Sequence, residues 1–166
     1  MANNDRERLV FHGAIVMFIG LLCGYPALGE RGDEAARLWR AAHLELLMIG
    51  IWLLATAAVL PALVLKRREG LGRVWSLLAT GYGLMTVLLI RAVTGVRGIQ
   101  PTGPAANWVA FAGSAIGILG ALLAVLLTLM GARAALRGIV PVETPSVLPN
   151  TYQPSARQEV DLLRPV

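Results

Sequence analysis

The sequence predicts an all-α membrane protein built as a four-helix transmembrane bundle, and three observations carry that expectation. Of 166 residues, 56% are hydrophobic and only 15% are charged, whereas ordinary soluble domains hold roughly 45–50% apolar and 25% charged residues. The mean hydropathy is +0.64. The apolar residues also gather into four runs, each near the roughly 20 helical residues that cross about 30 Å of hydrocarbon.

The runs cover residues 9–28, 43–65, 74–93 and 108–130, separated by connectors at 29–42, 66–73 and 94–107. The first connector carries Glu30, Arg31, Asp33, Glu34, Arg37 and Arg40. Pro26 and Pro61 stand within a turn of span ends, where proline is tolerated. Gly13, Gly20 and Gly24 share a face of the first span, and Gly113, Gly117, Gly120 and Ala124 repeat that spacing on the fourth. The GxxxG steps 20–24 and 113–117 let helix backbones approach closely in lipid. Bundle packing accounts for them; the sharper alternative is a face that accepts a flat cofactor or a second subunit. The chain thus divides into a transmembrane domain at 1–137 and a tail at 138–166. The tail holds five of the nine prolines and is expected to be disordered or loosely docked.

The formal net charge is +5, which in a soluble protein would raise the question of nucleic acid. Here every charge except Glu45 and Arg91 lies between or beyond the apolar runs, so the charges flank a lipid bilayer and no nucleic-acid partner is expected. Arg6, Arg8, Lys66, Arg67, Arg68, Arg73, Arg133 and Arg137 fall on one side, and Arg31, Arg37, Arg40, Arg91 and Arg97 on the other. The excess puts both termini in the cytoplasm of a bacterial-type inner membrane. No cleavable signal peptide is expected, because three further runs follow the first. The lone Cys23 excludes an internal disulfide and a multi-cysteine metal site. P-loop, GxSxG, CxxC and HExxH patterns are absent, as are paired intramembrane carboxylates, so hydrolase and ion-pump chemistry find no support.

Ionisable groups at membrane depth are functional candidates. They are His12, His43, Glu45 and Arg91. Histidine is the side chain suited to holding a haem iron. If the spans begin where the apolar runs do, His12 and His43 lie near opposite membrane faces, too far apart for a bis-histidine haem, whereas one histidine would leave the iron an open position. His43 stands out because Gly50, two turns on along the same face, leaves a gap beside it. Arg37, Arg40, Arg91 and Arg97, all on the same side of the membrane, are placed to pair haem propionates at the rim. The competing account is two interfacial histidines bonded to backbone carbonyls or water, and arginines that snorkel to lipid phosphates.

HGAIVMF at 12–18, RAAH at 40–43 with Gly50 beyond it, GY at 81–82, RG at 97–98 and GP at 103–104 followed by Asn107 resemble the bacterial styrene oxide isomerases. The resemblance runs through all four spans and stops at the tail. It implies a homotrimer with haem b between subunits and His43 as ligand to a ferric iron. The iron acts as a Lewis acid on a hydrophobic epoxide, which a 1,2-hydride shift converts to an aldehyde. Where the family has an asparagine six residues after the ligand and a tyrosine in the third span, this chain has Ile49 and Leu88, so it is expected to be a divergent member, with Tyr82 and Asn107 the nearest replacements in the pocket. Two other classes compete: a small haem membrane protein with an electron-transfer role, and a four-span accessory subunit without cofactor.

Overall fold

The computed structural model describes residues 2–28 and 34–138. Residues 29–33 of the first connector and the expected tail beyond Gly138 lie outside the described residues. The element order is α1 (Ala2–Cys23), α2 (Glu34–Val59), α3 (Arg67–Thr94) and α4 (Ala105–Leu136). All four helices are long and apolar enough to cross a membrane, with mean hydropathy between 1.6 and 2.4 over their most apolar stretches.

The helices outrun the apolar stretches that announced them. α2 takes in residues 34–42 and α3 takes in 67–73, both assigned to connectors from composition. Between Gly32 and Gly50 there is neither glycine nor proline, and Glu, Ala, Arg and Leu are strong helix formers, so nothing stops the helix where its hydrophobicity does. At its other end α2 stops short of the expected boundary at residue 65. Pro61, which has no N–H to give, sits in a 3-10 turn at Leu60–Ala62, and Leu63 then turns extended at φ −97°. The extended strip docks on α4, where the Val64 N–H donates to the Gly131 carbonyl at 3.3 Å.

The ends of α3 show ordinary capping. The Lys66 N–H donates to the Glu69 carboxylate at 2.9 Å, satisfying a backbone group at the helix start. The last turn closes on Gly95 at φ 73°, a left-handed position that glycine takes without strain.

α1 packs along α2 and α3 along α4, and the two pairs meet chiefly through α2 and α3. Small residues set both seams. A Cβ built on Gly20 would lie 3.1 Å from the Leu47 amide nitrogen, and one on Gly83 would lie 2.8 Å from the Gly113 carbonyl and the Gly117 nitrogen. Bundle packing is therefore what these glycines do, and neighbouring helices occupy the faces considered for a flat cofactor. Leu9, Val16, Leu46, Leu53 and Leu77 are buried between the pairs, whereas Phe11, Phe18, Leu119 and Leu122 face outward, as a lipid-facing surface requires.

Gly50 gives a test of the seam. A Cβ there meets the Met17 side chain and comes within 2.9 Å of the Gly13 carbonyl oxygen, whereas one on Gly70 meets nothing within 4 Å. Gly50→Ala should destabilise the detergent-solubilised protein by about 1–3 kcal/mol. Gly70→Ala should stabilise it by about 0.5–1 kcal/mol through helix propensity. Denaturation midpoints of the two variants check both signs.

Candidate functional site

His43 lies nine residues into α2, about 13 Å from the helix start. Its Nδ1 is 2.7 Å from the Gly20 carbonyl oxygen. A carbonyl only accepts, so Nδ1 carries a proton, and in the neutral ring Nε2 keeps a bare lone pair. α1 makes this possible by ending. Its last regular residue is Cys23, and the Gly24 N–H turns back to Leu21 instead of Gly20. The Gly20 carbonyl thus belongs to the last turn, whose oxygens lack helical partners. Gly24 completes the cradle, since a Cβ there would lie 3.1 Å from His43 Nδ1. The imidazole is half-buried.

Arg40, three residues earlier on α2, donates to the Ala27 carbonyl at 3.2 Å and so ties the short turn after α1 to α2. Arg91, in the last turn of α3, and Arg97, in the following connector, are exposed at this same end of the bundle. Also at this end is a cavity of about 410 Å³ lined by Glu34, Leu38 and the segment 92–96. The gap expected beside His43 at Gly50 is filled by α1 through Met17 and Gly13; glycine here serves helix contact, not an open surface. Ile49 packs against the core toward Gly81, and Leu88 is buried within it.

Tyr82 and Asn107 do not converge on His43. The Tyr82 hydroxyl lies 2.6 Å from His12 Nδ1. His12 precedes Gly20, the partner of His43, by eight residues, about 12 Å along α1. That separation is well short of the near-opposite faces expected from the apolar runs, because α1 ends at Cys23, before its run does at residue 28, and α2 begins at Glu34, before its run does at residue 43. Asn107 braces the α3–α4 connector. Its Nδ2 donates to the Gln100 and Thr102 carbonyls at 2.6 Å each, and its Oδ1 accepts from the Gly98 N–H at 2.9 Å. Among the described residues no group of three or more His, Cys, Asp or Glu side chains is placed to hold a metal ion.

A family model described as styrene oxide isomerase matches residues 5–133, a span from the first turn of α1 to the last turns of α4. The chain belongs to the styrene oxide isomerase family. No curated protein and no solved structure matches it. The matched segment of this family member includes both histidines and their partners, and the tail falls outside it.

Two features of this styrene oxide isomerase family chain escaped sequence reasoning. One is the His12–Tyr82 pair, 70 residues apart in the chain. The other is Arg73, fully buried, with Nε donating to Thr128 Oγ1 at 2.9 Å and both terminal nitrogens without a partner among the described residues. Composition assigned Arg73 to a basic connector beside Lys66, Arg67 and Arg68. The signal that separates it is its register with Leu77 and Thr80, the buried stripe of α3. Thr128→Val strands the guanidinium and should destabilise the bundle by about 1–3 kcal/mol. Arg73→Met removes the buried charge and should be neutral or stabilising. Paired denaturation curves test the contrast.

Proposed function

We propose that this protein is a haem b-dependent membrane isomerase that converts a hydrophobic aryl epoxide into the corresponding aldehyde. Family membership supplies the reaction class. The observation that carries the cofactor is the orientation of His43: Nδ1 is spent on the Gly20 carbonyl, and Nε2 meets no hydrogen-bond partner among the described residues. A single oriented imidazole with no further cluster of ligating side chains among the described residues suits a metal that brings its other ligands in a porphyrin. Ferric haem held by His43 would supply Lewis-acid chemistry toward an epoxide oxygen, and epoxide opening with a 1,2-hydride shift consumes no electron.

The chain's own residues do the rest. The Gly20 carbonyl holds the ring and raises the basicity of Nε2, and Gly24 keeps the ring's edge clear. Arg40, Arg91 and Arg97, gathered at that end of the bundle, suit the two propionates. Ile49 and Leu88 stand where the family pattern has an asparagine and a tyrosine and offer no hydrogen bond, which suits a substrate recognised by its apolar body. Glu45 supports assembly. It is exposed on α2, two residues past the start of the apolar run, and an ionised carboxylate on the outer face of a membrane-spanning helix is costly. A homotrimer with the cofactor at its subunit interfaces covers that face. The excess of arginine and lysine at the opposite end supports an inner-membrane orientation with both termini in the cytoplasm.

The absorption spectrum of the purified protein from haem-replete cells tests the cofactor. A Soret band is expected, lost in His43→Ala and kept in His12→Ala; the reverse pattern, or no band in the wild type, overturns the assignment. Ferric protein incubated with styrene oxide and bulkier aryl epoxides should yield aldehyde without added reductant. A Soret band with no aldehyde from any epoxide, ferric or ferrous, moves the protein to the electron-carrier class.

A further inference from the structure

A second site lies toward the other end of the bundle and is independent of the haem reading. A cavity of about 310 Å³ opens between α1 and α3, lined by Arg8, His12, Val74, Trp75, Leu78 and Tyr82. Its polar part is the His12–Tyr82 pair, with Nδ1 and the hydroxyl 2.6 Å apart. The His12 ring is also met edge-on by Phe11 and by Tyr82, at centroid distances of 5.4 and 5.6 Å, so it is held in place.

The pair has a hydrogen-bonding property that does not depend on tautomer. If the tyrosine O–H donates to Nδ1, the imidazole N–H sits on Nε2 and is unspent. If Nδ1–H donates to the phenol oxygen, the tyrosine O–H is unspent. Either way one donor is left over, in a setting where an unmatched donor is costly. At the rim, Arg8 offers a guanidinium, which donates and never accepts. No carboxylate lines the cavity; Glu7, next in sequence to Arg8, lines a separate one with Val10, Phe11 and Ala14. Val74 and Leu78 are buried and Trp75 is largely exposed, so the remaining wall is apolar and opens at the outer surface of the bundle.

Donors and a positive charge beside an apolar wall are complementary to an amphiphilic anion. The volume stands at the small end of ligand pockets, which run from about 300 to 1,000 Å³, so it suits one ring or a short alkyl chain. We propose that this cavity binds a small aryl or alkyl carboxylate, its oxygens between Arg8 and the His12–Tyr82 pair and its hydrocarbon body against Val74, Trp75 and Leu78.

The chain has two histidines, so enriching imidazole nitrogen with its heavy isotope gives a magnetic resonance spectrum with one set of signals per site. The full chain in phosphatidylcholine nanodiscs is titrated with hydrocinnamate and with the matched neutral alcohol, phenylpropanol. The expected result is a saturable shift of the His12 signals by hydrocinnamate, with the alcohol binding about tenfold or more weakly, as loss of a charge-assisted bond predicts. Arg8→Gln, a change at an exposed residue, should weaken hydrocinnamate by about tenfold while leaving the alcohol unchanged. Tyr82→Phe should weaken both. A non-saturating shift, equal affinity for acid and alcohol, or an Arg8→Gln variant that binds hydrocinnamate normally overturns the proposal. So does displacement of hydrocinnamate by phosphatidate doped into the nanodisc, which would assign the site to a lipid phosphate. Neither the Soret band nor the His43→Ala result bears on any of these outcomes.

Discussion

Lipid tails are as apolar as leucine, so helices in a membrane gain little by burying leucine against leucine; they gain by close contact. This bundle depends on backbones that touch. Gly50 takes the Gly13 carbonyl and the Met17 nitrogen of α1 at van der Waals range, and Gly83, Gly113 and Gly117 do the same for α3 against α4. Leu53, Leu46 and Leu77 then fill what the backbones leave. The same closeness brings the end of α1 within hydrogen-bond reach of His43, so the packing that holds the bundle together also selects a tautomer.

Most polar groups inside the helices are spent on their own backbone. Thr56, Thr80, Thr86, Ser114 and Thr128 each return a hydroxyl to a carbonyl four residues back, a bond that hides the group from lipid, and of these Thr128 also accepts from Arg73. Against that background the unspent atoms are conspicuous: Nε2 of His43, one donor of the His12–Tyr82 pair, and the terminal nitrogens of Arg73. Each stands where a helix end or a helix seam interrupts the self-contained pattern. The candidate chemistry of the molecule is concentrated in those interruptions.

The spans were legible because leucine, alanine, valine and isoleucine report the solvent directly, and the two histidines were legible as rare polar groups within them. The helix ends were not, because hydrophobicity marks where lipid stops and not where the backbone unwinds. The absence of glycine and proline from 33 to 49 was the better guide to α2. The orienting partner of His43 could not be read because it is a main-chain oxygen, which every residue has. Tyr82 was named for one pocket and stands in another, with a partner on α1, since one-dimensional order does not say which helices touch. Asn107 was noticed for its chemistry, but its three backbone bonds give it the work of closing a loop.

Arg73 carries a consequence for the register of the last two helices. Its side-chain hydrogen bond crosses to Thr128, far along in the sequence on α4, whereas a guanidinium on α3 alone would have to reach toward the headgroups to stay hydrated. Its place inside the bundle therefore rests on α4: a rotation of either helix that parts Nε from Thr128 leaves the most buried cation among the described residues with no side-chain partner.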